Sequence, residues 1–314
     1  MEKILLASPR GYCAGVDRAV QTVERALELY GAPVYVRKEI VHNKHVVAQL
    51  RGRGAVFVDD ERDIPEGAVT VFSAHGVAPS VHANASERGL RTIDATCPLV
   101  TKVHKEALKF ARDGYTIVLV GHAGHEEVEG TMGEAPDHIV LVETEEDVDR
   151  LEVEDPDKVA YISQTTLSVD ETRAIIARLR ERFPGAIGPR TDDICYATTN
   201  RQAAVKQMAA QCDLVLVIGS TNSSNSQRLV DVARDYGARA HLIDNDAQVQ
   251  EEWLDGARVV GISSGASAPE ELVERLVQFF RDRGTETVET FEVMREDVRF
   301  MLPKVIRQQL AARS

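Results

Sequence analysis

Cysteine is scarce in this chain, with four residues in 314. That is too few to staple a fold of this size with disulfides, so clustered thiols here point to metal binding or catalysis. Positive charge is short as well: 37 Lys and Arg stand against 50 Asp and Glu, the net charge is −13, and no basic block stands out. Nucleic acid and anionic membrane surfaces are therefore poor candidate partners, and an anionic ligand would need positive potential built locally. No stretch approaches the roughly 18 consecutive apolar residues of a membrane span. The opening MEKILLASPRG lacks the basic, long apolar layout of a signal peptide, so a cytoplasmic location is expected. No GxGxxG follows the first strand, and with it any flavin or nicotinamide fingerprint is missing.

What is present is ordinary in bulk and unusual in arrangement. At 43 % hydrophobic and 28 % charged residues, the chain has the composition of a globular protein. Its length allows two or three domains of the usual ~100–200 residues. Three of the four cysteines stand at the mouth of a helical pattern: Cys13 in RGYCAGVDRAV, Cys97 in IDATCPLV and Cys195 in DDICYATTNRQ. Pro98 suits a first helical position, and Val16, Val20, Val23 and Leu27 repeat at helical spacing after Cys13.

The surroundings repeat with the thiols. After each helix comes a strand and a polar loop, holding His42, then His122, His125 and Glu127, then Ser223, Ser224 and Asn225. Cys13 to His42 is 29 residues, and Cys97 to His125 and Cys195 to Ser223 are 28 each. A second strand and loop follow in each copy, with His75, Thr165 and Ser267 lying 62, 68 and 72 residues after the respective cysteine. Strands alternating with helices predict α/β architecture with parallel sheets, which place ligands outside the carboxyl ends of their strands. We expect three pseudo-repeated domains: 14–96, 97–194 and 195–284, with the N-terminal strand 1–13 joining the third and 285–314 left as a C-terminal tail. A pseudo-threefold axis would gather three thiols and six loops. In the tail, VRFMLPKVIRQQL has strand-then-helix character.

A thiol at a helix N-terminus feels the positive end of the macrodipole, which favours the metal-binding thiolate. Each cysteine could instead be a small core residue, as Cys212 is expected to be beside Val205 and Met208, but three equivalent placements argue against that for the others. Zinc with three thiolates and a histidine remains a candidate, although structural zinc favours close CxxC pairs, and these cysteines lie 84 and 98 residues apart. The HxE at His125 and Glu127 lacks the PCxxC that accompanies it in zinc deaminases. An iron–sulfur cluster fits better: four thiolates fill a 4Fe-4S cube, so three leave one iron as a Lewis-acid site. The histidines and the Ser, Thr and Asn donors would cradle a diphosphate, and Glu127 could shuttle protons. Bland readings stand beside these: Ser267 opens S-x-x-E with Glu270, Ser226 can cap the helix that follows it, and Thr165 and Thr166 precede a cap at Ser168.

Taken together, PRGYCAGVDRAV, VHN, FSAHGV, DATCPLVTKVH, GHAGHEEVEGTMG, SQTTLS, DDICYATTNRQ, GSTNSSNSQRL and SSGASAPE closely resemble the 4-hydroxy-3-methylbut-2-enyl diphosphate reductase family, which acts last in the non-mevalonate route to isoprenoid precursors. The resemblance runs from residue 3 to about residue 284. It implies three α/β domains arranged as a trefoil around a central 4Fe-4S cluster, one per chain, held by Cys13, Cys97 and Cys195. It implies substrate contacts at His42, His75, His125, Thr165, Thr166, Ser223, Ser224, Asn225 and Ser267, with Glu127, His125 and Thr165 near the reacting hydroxyl and the glutamate in the proton relay. The implied reaction is reductive dehydroxylation of (E)-4-hydroxy-3-methylbut-2-enyl diphosphate with two electrons and two protons. Water leaves, and protonation at either end of an allyl-type species gives isopentenyl diphosphate or dimethylallyl diphosphate. The partners implied are the small-molecule diphosphate and an external electron donor of flavodoxin or ferredoxin type, with no nucleic acid and no membrane. A non-enzymatic iron–sulfur carrier and a zinc hydrolase of phosphorylated substrates are the rivals.

Overall fold

Short apolar runs such as LVLVI (214–218) and VAYIS (159–163) are buried at every residue. Parallel strands covered by helices on both faces read this way, because neither face meets water. The computed structural model describes residues 1–313 and contains three sheets. β1 (Lys3–Ser8) opens the chain and joins the last of them. β2 (Val34–Arg37), β3 (Ala55–Val58), β4 (Val69–Phe72) and β5 (Arg91–Asp94) form a sheet in the order β3-β2-β4-β5. β6 (Thr116–Val120), β7 (Ile139–Val142) and β8 (Val159–Ser163) form the second, ordered β7-β6-β8. β9 (Leu214–Ile218), β10 (Arg239–Ile243), β11 (Val259–Ser264) and β12 (Thr287–Glu292) complete the third with β1, ordered β10-β9-β11-β1-β12. Every pairing between these strands is parallel, as the α/β alternation of the sequence requires.

Alternation within a strand feeds two cores per sheet. In β9, Val215 and Val217 pack on one side with Leu5, Met208 and Leu229, while Leu214, Leu216 and Ile218 pack on the other with Leu272, Leu276 and Phe280. In β6, Val118 and Val120 join Leu179 and Phe183, and Ile117 and Leu119 join Val103 and Phe110. Cys212 lies in the first of these cores with Val205 and Met208, a packing role as expected.

The two strands that lead into polar loops are hydrogen-bonded neighbours in every sheet: β2 with β4, β6 with β8, and β9 with β11. The next position leads to a cysteine. β5 lies beside β4 and runs to Cys97, β1 lies beside β11 and runs to Cys13, and Ile187 makes a single parallel bridge to Ala160 of β8 ahead of Cys195. Each thiol therefore follows the strand, or for Cys195 the bridge, that lies beside the second loop-bearing strand of its sheet, whereas aligning the sequence on its cysteines places each at the start of a repeat. The C-terminal region differs from expectation too. Residues 287–292 form β12 at the sheet edge, and 298–303, read as a strand, are neither strand nor helix before the helix Lys304–Arg313.

The chain divides into two compact units. One comprises Met1–Asp17, His42–Gln49 and Tyr196–Arg299 and contains the five-stranded sheet; the other comprises Arg18–Val41, Leu50–Cys195 and the residues from Phe300 on, with the two smaller sheets.

Candidate functional site

In the unit with the smaller sheets, Cys97 is the N-cap of the helix Pro98–Arg112, with Pro98 in its first turn. Its amide donates to the Ala74 carbonyl at 2.9 Å. Just upstream, the Arg18 guanidinium donates to the carbonyls of Ala95 (2.8 Å) and Thr96 (3.0 Å). Ala74 opens the turn that presents His75, and Gly76 follows at φ +83°. A Cβ at Gly76 would stand 3.0 Å from the His104 ring and 3.1 Å from Val100, so only glycine lets this turn lie on the thiol's helix. His104 is buried with Nδ1 2.7 Å from Glu134 Oε1, and burial pushes its imidazole down despite that carboxylate.

His125 is the N-cap of the helix Glu126–Glu134, in a stretch read from sequence as loop. Its Nδ1 accepts the Glu127 amide at 3.1 Å, which leaves the proton of the neutral ring on Nε2. The His75 and His125 rings meet edge-on at 5.9 Å, and His75 Nδ1 lies 3.2 Å from Glu126 Oε2. Glu127 is 2 % exposed. Its carboxylate accepts from the Thr165 amide at 2.6 Å and the Thr165 hydroxyl at 3.0 Å, and the Thr165 carbonyl accepts the Cys195 amide at 3.0 Å. Thr166, half-buried, accepts at its hydroxyl from Gln164 Nε2 at 3.0 Å.

A second tie joins the Cys97 helix to the end of β8 and to the segment ahead of Cys195. Lys102, one turn into the Cys97 helix, donates to Asp193 Oδ1 at 2.9 Å and to the carbonyls of Thr191 and Asp192, while Asp193 Oδ2 accepts the Ser163 amide at 3.0 Å. Glu106 stands one turn further along, and burial followed by the Asp193 carboxylate pushes it up to about 7. Sequence reasoning missed Glu126, Lys102, Glu106 and Asp193; the only signal was proximity, to His125 and Glu127 for the first and to Cys97 or Cys195 for the others.

In the other unit, the Cys13 amide donates to the Ala266 carbonyl at 3.1 Å and its Sγ faces the Val16 amide at 3.4 Å. Arg201, fully buried, donates to the Gly11 carbonyl at 2.7 Å, the Ala197 carbonyl at 3.0 Å and Glu296 at 3.0 Å, fixing the Cys13 loop. Burial pushes the Cys13 thiol up and outweighs the Val16 amide and Arg201, so a helix mouth alone does not make it a thiolate. Such a sulfur ionises when a cation sits on it, which is the behaviour of a metal ligand rather than of a free nucleophile. Among the described residues none of the cysteines is in a disulfide. These soft sulfur donors, flanked by a backbone amide at Cys13, fit an iron–sulfur group.

The polar loops of this unit are built around Ser226. Cβ atoms at Gly219 and Gly265 would stand 2.2 and 2.0 Å from its hydroxyl. Ser226 does not cap the following helix; Ser223 does, accepting the Ser226 amide at 3.3 Å. Ser267 forms no capping box either, since Pro269 is the N-cap, and its hydroxyl donates to the His42 carbonyl at 2.9 Å. His42 Nδ1 lies 3.4 Å from Asn222 Nδ2. Ser224 is 9 % exposed and Asn225 5 %, and both amide atoms of Asn225 lack a hydrogen-bond partner, as do the hydroxyls of Ser263 and Ser264 at the end of β11. Buried polar groups without partners are rare, and together they describe a surface made for a polar ligand.

Fold and sites define a parallel α/β protein whose strand ends carry thiols, histidines and hydroxyls, and residues 4–281 match the family described as LytB protein; the chain belongs to that family. It is 61 % identical over 307 residues to a Nocardia farcinica protein named 4-hydroxy-3-methylbut-2-enyl diphosphate reductase, covering 98 % of this chain and 91 % of that one. A protein of the same name from Acidothermus cellulolyticus is 59 % identical over 312 residues, covering 99 % and 92 %. A solved structure of the E-1-hydroxy-2-methyl-but-2-enyl-4-diphosphate reductase from Plasmodium falciparum superposes with a TM-score of 0.96 at 36 % identity, covering 99 % of this chain and 98 % of that chain. The resemblance carried by the sequence motifs is to these same reductases.

Proposed function

We propose that this chain reduces (E)-4-hydroxy-3-methylbut-2-enyl diphosphate to isopentenyl and dimethylallyl diphosphate, as the names of its relatives suggest. The observation that carries the reading is the path from Glu127 through the Thr165 amide, hydroxyl and carbonyl to the Cys195 amide, which joins a buried carboxylate to a candidate metal ligand. Cys13, Cys97 and Cys195 would hold one 4Fe-4S cluster. When bound, such a cluster supplies electrons and, with three protein thiolates, a Lewis-acid iron.

The chain's own groups account for the rest. Ser223, Ser224, Asn225 and Ser267, with His42 and His75, hold the diphosphate, the serine and asparagine donors lying at or beside strand and helix ends that favour anions. Fixing that end orients the allylic carbon, which converts binding into proximity. His125, with its proton on Nε2, and the Thr165 and Thr166 hydroxyls face the substrate oxygen. Glu127 takes up a proton from solvent and donates it to the Thr165 oxygen as that hydroxyl turns its own proton to the departing hydroxyl, so that water leaves and Glu127 is left as the carboxylate. The two electrons come from an external donor of flavodoxin or ferredoxin type. Among the described residues no helix is long and apolar enough to cross a membrane, which is compatible with the cytoplasmic location proposed.

Anaerobic purification tests this directly. Iron and acid-labile sulfide near four of each per chain, with turnover of the diphosphate under reduced methyl viologen, is the expected result. Zinc in place of iron, or a cluster protein without turnover, would replace the proposal by one of its rivals.

A further inference from the structure

We propose that the segment from Phe300 to Arg313 is the docking face for an acidic one-electron carrier protein. The need for such a carrier rests on the reduction proposed above; the face rests on charge, exposure and connectivity. In a chain of net charge −13, residues 300–313 hold Lys304, Arg307 and Arg313 and not one Asp or Glu. Lys304 and Arg307 are exposed, and Arg307 spends its Nε on the Leu302 carbonyl at 3.0 Å rather than on a carboxylate. Between and beside them stand Met301 at 72 % exposure and Val305 at 44 %. Ile306, fully buried, and the bond from Arg313 to the Leu29 carbonyl anchor the helix Lys304–Arg313, so this cationic, apolar surface is a fixed feature.

Arg18 gives the face its direction. Its Nε donates to the Met301 carbonyl at 2.9 Å, and its Nη1 donates to the carbonyls of Ala95 and Thr96, the peptides leading into Cys97. One guanidinium thus separates the most exposed apolar residue of the segment from the backbone of a proposed cluster ligand. A carrier resting on Met301 and Val305, held by Lys304 and Arg307, is seated at a short hydrogen-bonded path to that thiol. Each encounter passes one electron and releases the oxidised carrier. Two encounters supply the pair that, with two protons, turns the allylic alcohol into alkene and water. Three cations on a strongly anionic molecule suit a compact acidic protein; an extended polyanion would meet the −13 field beyond the patch.

The test is binding of an acidic flavodoxin to the cluster-loaded protein by calorimetry, with turnover measured separately. At low ionic strength K304E/R307E is expected to weaken flavodoxin binding at least about tenfold, with the gap closing at high salt. The charge-keeping K304R/R307K should bind as wild type does. Reduced methyl viologen, which needs no docking face, should drive the charge-reversed protein and wild type alike. Unchanged flavodoxin affinity in K304E/R307E overturns the proposal, as does wild-type binding of anionic vesicles or RNA in preference to flavodoxin. If the reversed protein is misfolded, the milder K304Q/R307Q decides on the same criteria. Absence of dye-driven turnover in wild type would sink the proposed reaction while leaving the binding measurement to judge the face.

Discussion

Glu127 and Asn225 stand at opposite extremes of hydrogen bonding, and that sets what each replacement does. Both Glu127 oxygens are engaged by Thr165, so Glu127→Gln keeps an acceptor but loses the proton carrier. We expect KM for the diphosphate to hold and kcat to fall roughly 10²- to 10⁴-fold, the usual range for a lost general acid. Near-normal kcat under reduced dye would remove Glu127 from the proton path. Asn225 is the reverse case, a buried amide with nothing to bond inside the protein. Asn225→Ala should leave the melting temperature of the unliganded protein nearly unchanged while raising KM about 10- to 150-fold, the worth of one hydrogen bond to a charged group. Loss of melting temperature with an unchanged KM would make it a structural residue.

At the scale of elements, the Lys102–Asp193–Glu106 tie predicts how stability follows pH. Glu106 is raised from its ordinary 4.5 to about 7, first by burial and then by Asp193. A carboxyl raised in the folded state binds its proton more tightly there than in the unfolded chain. Its contribution is complete below about pH 4.5 and is lost as pH rises through about 7. Glu106→Gln should therefore melt close to wild type at pH 5 and above it at pH 8. Thermal unfolding at the two values measures this, and identical pH profiles would refute it. This tie was invisible in the sequence, since Lys102 and Asp193 are far apart and charge pairs leave no periodic trace. The sheets were legible because buried parallel strands are unbroken apolar runs, and the loops because Cys, His and Ser recur at fixed spacing. β12 was not, because an edge strand of sequence TVETFE, largely exposed, carries no apolar signature. The helix Glu126–Glu134 was hidden for a related reason. It packs through Gly130 and Gly133 against the Gly76–Ala78 turn, a close approach of backbones rather than an apolar stripe. The place of each cysteine beside the second loop-bearing strand was equally hidden, since β1 pairs with β11 across most of the chain.

At the scale of the whole molecule, the net charge of −13 repels both the diphosphate and an acidic carrier. Salt separates the two encounters. Contacts to a bound diphosphate act at hydrogen-bond distance and are barely screened, whereas the field of the whole protein acts over tens of ångströms and fades beyond a Debye length of about 10 Å at 0.1 M. For the substrate, screening removes mainly repulsion, so kcat/KM under saturating reduced dye should rise as ionic strength goes from about 10 to 150 mM. For the carrier, the local cations Lys304 and Arg307 act at the surface itself, where added salt screens attraction, so carrier-driven turnover at limiting carrier should fall over the same range. Opposite slopes from one preparation would locate the two anions at electrostatically distinct places. If both rates rise, the −13 field dominates at the Phe300–Arg313 face as well, and the three cations there are too few to steer a partner.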